Sequence, residues 1–440
     1  MMNRNTTRQW QPVLSGAELE SGWTVVKEIA EALHRPPAAW IPGEIEGVEP
    51  YRIARSAALA MGSAGLALFY AYLSHTSENR GLLADEADRY ISRSCDVMEM
   101  VPMQAGLYRG ISGIAWVVQH LQGFLYEDES NDPETDPNMQ IDRILLDHLC
   151  DPEKFDLWDG CVGMGVYALE RYPYPGAKKL LELLINRLEQ LSTHSDQGIT
   201  WFTKPETIPQ KTKATFSDGY YDLGVAHGIP GVISFLSRVH TLGISQDITG
   251  KLLEGAVSWL LAQQWKNHDG SIFPQFILFP DNKPLTSGTF GFCHGDLGLA
   301  AALASAANCS GESSWNAKAI EATHASIKYL KHFSTTAPFT NPHLCHGTAG
   351  LGHLFNRLYQ TTGVEPFKEE ARKWFRHTLD IRKPGTGIAG YSKYGLNEDG
   401  ERSELYDPGF IQGAAGIGLA LLGAITGMEP GWDRLMLISN

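Results

Sequence analysis

The chain has 440 residues, more than one hydrophobic core usually supports, so several domains or a repeat architecture is expected. Its formal charge of −14 and the lack of any Lys/Arg-rich run exclude nucleic acid as a default partner, because binding a polyphosphate needs a basic footprint. An acidic surface tolerates a basic peptide and serves solubility equally well.

The opening MMNRNTTRQWQPVLSG lacks the apolar core of a secretion signal, and no stretch reaches the roughly 18 uninterrupted apolar residues of a membrane span. A cytoplasmic chain is the expectation. Six cysteines, at 95, 150, 161, 293, 309 and 345, contain no CxxC pair, so no disulfide framework is expected. Any special cysteine is then a candidate metal ligand or reactive thiol.

In chain order, Gly-x-x-Gly recurs at Gly62/Gly65, Gly110/Gly113, Gly160/Gly163, Gly228/Gly231, Gly295/Gly298, Gly347/Gly350 and Gly413/Gly416. Each pair leads into a run poor in charge, such as LALFYAYL, VISFLSRV or IGLALLGAI. Between the runs lie amphipathic segments, among them AKKLLELLINRLEQLS from Ala177, GKLLEGAVSWLLAQQW from Gly250 and NAKAIEATHASIKYLKHF from Asn316, with apolar residues at three- and four-residue steps. Each repeat thus pairs a buried helix with an outer one that has a wet face. Successive motifs stand 48 to 68 residues apart, the range of a helical pair with variable loops.

Seven such pairs can close into an all-α, double-layered barrel: an α/α toroid of seven inner and seven outer helices, forming one domain over residues 1–440. Closure leaves no exposed end, whereas an open solenoid needs polar capping repeats. The paired glycines are expected to let neighbouring inner helices approach closely. The segments GITWFTKPETIPQKTKATFSDGYY, GSIFPQFILFPDNKPLTSGTFG and GIAGYSKYGLNEDGERSELYDPGF read as loops or short hairpins over one mouth of the ring.

Because the inner helices run parallel, their first turns open at the same end. The residues just before each first glycine, Met61, Arg109, Asp159, His227, His294, His346 and Gln412, should converge there. One position earlier stand Cys293 and Cys345, in adjacent repeats. Two cysteines and up to three histidines at helix N-termini, where the dipole favours thiolate, suit a zinc site. A histidine can also merely cap or pack there, and a buried cysteine can act as a small hydrophobe. The duplicated Cys-His-Gly favours the metal.

The whole chain resembles the lanthionine synthetase C-like family, the lanthipeptide cyclases, through AHGIPG (Ala226 to Gly231), CHG at Cys293 to Gly295 and CHG at Cys345 to Gly347, in that order. The resemblance implies zinc held by Cys293, Cys345 and His346, with one coordination position left for a substrate thiol. His227 would match the family's catalytic histidine and Asp156, in FDLWDG, its aspartate; Asp159 competes for that role. Cyclases with Cys-Tyr-Gly at the first motif carry an arginine four residues earlier. Here Thr289 stands in that place and His294 in place of the tyrosine, as in cyclase domains fused to larger synthetases. Arg109 is a candidate substitute for the missing cation.

The activity so implied is addition of peptide cysteine thiols to dehydroalanine or dehydrobutyrine, forming (methyl)lanthionine thioether rings. Zinc would turn a thiol of pKa near 8.5 into thiolate. His227 would then protonate the α-carbon, with Asp156 orienting it and His294 sharing the acid role or supporting the zinc. The partners implied are a dehydrated precursor peptide with its leader, a dehydratase and an exporter. A zinc-binding scaffold, or addition of a small thiol such as glutathione, is the alternative on the same fold. A glycosidase would need a carboxylate pair across a groove, and Asp156 and Asp159 share one turn.

Overall fold

A computed structural model describes residues 9–35, 48–125, 136–147, 154–210, 212–265, 270–286, 290–336, 341–396 and 402–439. Thr289 and Cys150 lie outside the described residues. The helices begin with α1 (Ala17–His34), α2 (Pro50–Ala57), α3 (Ser63–Ser74), α4 (Arg80–Met100), α5 (Ile111–Leu125), α6 (Met139–Asp147), α7 (Cys161–Arg171) and α8 (Pro175–Leu191). They continue with α9 (Ile229–Thr241), α10 (Gln246–Ala262), α11 (Asp296–Ser310), α12 (Ser313–Thr336), α13 (Thr348–Thr362), α14 (Glu365–Asp380) and α15 (Ala414–Ile425).

Seven of these, α3, α5, α7, α9, α11, α13 and α15, start at the Gly-x-x-Gly motifs and pack side by side in that order, with α15 returning to α3. The ring is closed. All twelve residues of α3 and of α15 are buried, as a helix without a wet face must be. Helices α4, α8, α10, α12 and α14 cover their inner partners, and α6 lies against α5 and α8. On α14, Phe367, Ala371, Trp374 and Phe375 face inward at helical spacing.

Among the described residues the only helical segment after α15 is a 3-10 turn, and the helix that covers α15 from outside is α1. Helix α1 packs on it, so closely that a β-carbon at Gly22 would stand 2.8 Å from Ile425. The Trp10 indole fastens this join by donating to the Gly423 carbonyl at 2.8 Å.

The paired glycines serve the loops more than the helix–helix contacts expected of them. In every repeat a β-carbon on the second glycine would lie within 2.7 Å of the carbonyl six residues earlier, as with Gly113 and Leu107 or Gly416 and Phe410. The pre-helix loop therefore folds back on the first helical turn. A second contact comes from the neighbouring repeat's loop: Gly65 meets Phe410 at 2.8 Å and Gly416 meets Leu344 at 2.8 Å.

The strands are short. β1 (Ser192–Ser195) and β2 (Gly198–Trp201) form a hairpin, β3 (Tyr220–Asp222), β4 (Phe276–Leu278) and β5 (Lys283–Leu285) an antiparallel sheet, and β6 (Lys393–Leu396) and β7 (Arg402–Leu405) a second hairpin. Register in the sheet pairs Asp222 with Phe276 and Phe276 with Leu285. The β1–β2 hairpin departs from the expected place over the mouth: Ile199 and Gly198 pack on Gly255 and Trp259 of α10.

Candidate active site

Backbone hydrogen bonds link the pre-helix loops along much of the ring. Ala60 N–H donates to the Tyr108 carbonyl at 2.9 Å, Tyr108 to Trp158 at 3.3 Å, Cys345 to Ile411 at 3.0 Å and Ile411 to Ala60 at 3.1 Å. These are equivalent positions in successive repeats, so each following residue is aimed at the same place. In the fifth repeat the register slips by one: Phe292, not Cys293, donates to Cys345 at 2.8 Å. Gly295, which follows in the same loop, has a φ of +105° that few other residues adopt.

All seven residues preceding the first glycines, Met61, Arg109, Asp159, His227, His294, His346 and Gln412, line one cavity of about 620 Å³. Asp156, Trp158, Cys293 and Cys345 line it as well. From β3, β4 and the loop before them, Phe216, Tyr220 and Phe276 add an aromatic wall.

The His227 side chain keeps 40% of its area accessible, so it faces the cavity instead of the packed interior. Its Nδ1 bonds Asp156 Oδ2 at 2.9 Å, and Asp156 Oδ1 accepts the Asp159 N–H at 2.9 Å. Burial favours neutral imidazole, but the hydrogen bond and charge of Asp156 outweigh it and raise the His227 pKa. Burial also works against the Asp156 charge, and the bond to His227 reverses it, leaving a lowered carboxylate pKa. Asp159 is held differently. Burial and the nearby charge of Asp156 raise its pKa, and its Oδ1 is buried without a partner among the described residues. Of the two competing aspartates, Asp156 makes the dyad.

Arg109 lies over the Trp158 ring, 5.5 Å from guanidinium to centroid, and Trp158 in turn stacks on Tyr108.

A second imidazole–carboxylate pair lines the same cavity. His294 Nε2 bonds Asp222 Oδ2 at 3.3 Å, while Asp222 Oδ1 accepts the Gly224 N–H at 2.6 Å. A signal was present: Asp-x-Gly placed six residues before the first glycine of a motif, seen in Asp222-Leu223-Gly224 and again in Asp407-Pro408-Gly409. In the second copy Asp407 receives the Gly409 N–H at 2.8 Å and holds Lys393 Nζ at 2.6 Å.

Cys293 Sγ, Cys345 Sγ and a His346 ring nitrogen lie within 4.8 Å of one another. The two sulfurs are joined as a disulfide, with Cα atoms 6.0 Å apart, a pairing the cysteine spacing had not led us to expect. Once reduced, the donor set fits zinc: two thiolates and one imidazole, leaving a fourth position open. Burial, with His294 and Lys393 nearby, pulls the His346 pKa down to about 4, so the ring is neutral, as a ligand must be. Of the other described cysteines, Cys95, Cys161 and Cys309 stand outside the disulfide, and the Cys161 thiol donates to the Lys154 carbonyl.

A closed ring of helix pairs with histidine–aspartate dyads and a Cys/Cys/His cluster at one mouth defines an α/α toroid. The chain belongs to the lanthionine synthetase C-like protein family, whose pattern it matches over residues 54–437. It is 26% identical over 211 residues to the nisin biosynthesis protein NisC of Lactococcus lactis subsp. lactis, a match spanning 44% of this chain and 48% of that protein. The chain thus spans about half the length of this curated relative in the alignment. Its structure is similar to that of a nisin cyclase, with a TM-score of 0.70 at 17% identity, covering 95% of this chain and 97% of that one. At that identity the likeness speaks for the toroid fold. Among the described residues no helix is long and apolar enough to cross a membrane.

Proposed function

We propose that this chain is a zinc-dependent lanthipeptide cyclase, closing thioether rings by adding peptide cysteine thiols to dehydroalanine or dehydrobutyrine. The observation that carries the reading is the convergence of the His227–Asp156 dyad and the Cys293, Cys345 and His346 donors on one cavity, in a chain of this family.

Bound by those three donors, zinc would supply thiolate at neutral pH by lowering the pKa of the substrate thiol. The thiolate attacks the β-carbon, a carbon–sulfur bond forms, and the alkene electrons move to the α-carbon as an enolate. His227 returns the proton. Its Nδ1 is engaged by Asp156, so Nε2 is the atom left to deliver it, and the raised pKa favours the protonated ring. His294, oriented by Asp222, supports the zinc donors beside it.

The substrate by this reading is a precursor peptide with its leader, already carrying alkenes, so a dehydratase acts first and an exporter afterwards. A reducing compartment such as the cytoplasm keeps both cysteines available. The closed ring supports one domain over the whole chain. Incubation with a dehydrated precursor peptide tests the reading: free thiol should disappear at unchanged mass. Binding without thiol loss would leave a scaffold, and a mass gain of glutathione would mark a small-thiol transferase.

A further inference from the structure

The inner helices begin at the mouth and end at the opposite face. Their lower turns gather charged side chains there: His120 from α5, Glu170 from α7, Arg238 from α9, and His353 and Arg357 from α13. The 3-10 turn Gly431–Met436 closes this floor, with Trp432, Asp433, Leu435 and Met436 buried. Beside it is a cavity of about 440 Å³ whose walls include Tyr72, His120, Phe124, Glu170 and Arg434.

The buried carboxylates are engaged by other cations, although Asp433 Oδ1 is itself buried without a partner among the described residues. Glu170 accepts from Arg434 Nη2 at 2.7 Å and Nε at 3.0 Å, and bonds His120 Nδ1 at 2.8 Å. Asp433 accepts from Arg357 Nε at 2.9 Å and bonds His353 Nε2 at 2.9 Å. Glu429, on the exposed rim, also contacts Arg357.

Arg238 receives none of them. Its Nη1 reaches only the Arg434 carbonyl, at 3.4 Å, while Nε and Nη2 are shut off from solvent with no partner among the described residues. One turn earlier on the same face of α9, the Ser234 hydroxyl is also buried without a partner. Burial pulls the Arg238 pKa down to about 10, which still leaves the guanidinium charged at neutral pH. Asp433 and Glu170 oppose that shift through space, yet neither hydrogen-bonds the guanidinium, so its Nε and Nη2 remain unsatisfied.

The unpartnered nitrogens are informative in themselves. Nε and Nη2 form one edge of the guanidinium fork, the edge that grips a carboxylate or phosphate through two parallel hydrogen bonds. We propose that the floor of the ring binds a small oxyanion, a carboxylate or phosphate group, on the Nε–Nη2 edge of Arg238, with the Ser234 hydroxyl as a further donor. The floor cavity of about 440 Å³ is lined by Arg434, whose carbonyl Arg238 contacts, and by the Tyr72 and Phe124 rings, which stack at 4.4 Å. This site is separate from the mouth and does not depend on the cyclase reading.

Equilibrium dialysis of the full chain against labelled inorganic phosphate, and separately labelled acetate, at fixed ionic strength tests the proposal. About one anion per chain is expected on the native protein and on His227→Ala, and none on Arg238→Met. Whichever label is retained distinguishes a phosphate site from a carboxylate site. The same anion should raise the melting temperature of the native protein and not that of Arg238→Met, which in chloride should melt no lower than the native chain. Should Arg238→Met fail to fold, Ser234→Ala is expected to weaken retention about tenfold, the loss of one hydrogen bond to a charged group. Native protein that retains neither anion above a chloride-matched blank, or retention that survives Arg238→Met and vanishes in His227→Ala, overturns it.

Discussion

Reducing the Cys293–Cys345 bond and supplying zinc should load one ion per chain and shift the thermal transition by a calculable amount. The donors lie within 4.8 Å of one another before any ion is added, so little rearrangement opposes binding. Free zinc at a hundred times its dissociation constant stabilises the folded state by about 2.7 kcal/mol. Unfolding a chain of 440 residues carries an entropy of roughly 0.9 kcal/mol per kelvin. The transition should therefore rise by about 3 °C. Elemental analysis and a thermal melt read stoichiometry and shift on three samples: reduced, oxidised with diamide, and reduced His346→Ala. Reduced native protein should hold about one zinc, the oxidised sample almost none, and His346→Ala should lose most of the shift. Cys95→Ala, on the outer helix α4, should behave as native. Full zinc in the oxidised sample or in His346→Ala would place the ion elsewhere, and none in the reduced native protein would remove the metal from the mouth.

His227→Ala should slow thioether formation by about 10²–10⁴-fold, the usual contribution of a positioned acid, while zinc content stays at one per chain. In Asp156→Asn the partner that raises the His227 pKa is lost and burial prevails, so the acid deprotonates at lower pH and the alkaline limb of the rate profile moves down; a profile superimposable on the native one refutes the dyad. Burial opposes the Asp433 charge, but Arg357 and His353 outweigh it and bring its pKa from 3.8 to about 2. That depression contributes about 2 kcal/mol of stability, fully present above pH 4 and lost as pH falls toward 2, so Asp433→Asn should flatten the melting temperature over that interval. Gly416→Ala would place a β-carbon 1.8 Å from the Phe410 carbonyl and should cost about 3 kcal/mol in denaturant unfolding. At Gly123, inside α5 with nothing within 4 Å, the same change should stabilise by about 0.5–1 kcal/mol.

The repeat made the toroid legible, because Gly-x-x-Gly before an uncharged run marks a physical event, a loop folding back on a helix start, and that event happens seven times. Counting back from the first glycine then named the residues at the mouth, from Met61 to Gln412, with no need to know how the loops run. What periodicity could not reach were partners from outside the motif. Asp222 arrives on a three-residue strand held by Phe276 of β4, and although Asp-x-Gly marks its place before the fourth motif, that spacing does not say it meets His294 of the next repeat. The outer cover of α15 is the amino-terminal helix α1, a contact between chain ends that no local pattern encodes. Likewise Arg238 reads as an ordinary basic residue in a last helical turn until the commitments of Glu170 and Asp433 are counted.

The mouth is also asymmetric in a way that bears on the proposed mechanism. Consecutive repeats three to six supply Asp159, His227, His294 and His346, so every titratable member of the cavity's column sits on one arc of the ring. The remaining arc supplies Gln412, Met61 and Arg109, which neither transfer protons at neutral pH nor compete for zinc. A peptide undergoing several additions must present different thiols and alkenes to one fixed set of acids and donors. That is met when one arc holds the chemistry rigidly, through two imidazole–carboxylate pairs, and the opposite arc offers a flexible methionine, a neutral amide and a cation seated on Trp158. On this division Met61→Lys or Gln412→Lys should alter which rings close in a multi-ring precursor, read by fragment mass spectrometry, while a single-ring peptide is cyclised at a near-native rate. If both variants instead lose single-ring closure as His227→Ala does, the two arcs share the chemistry and the division is wrong.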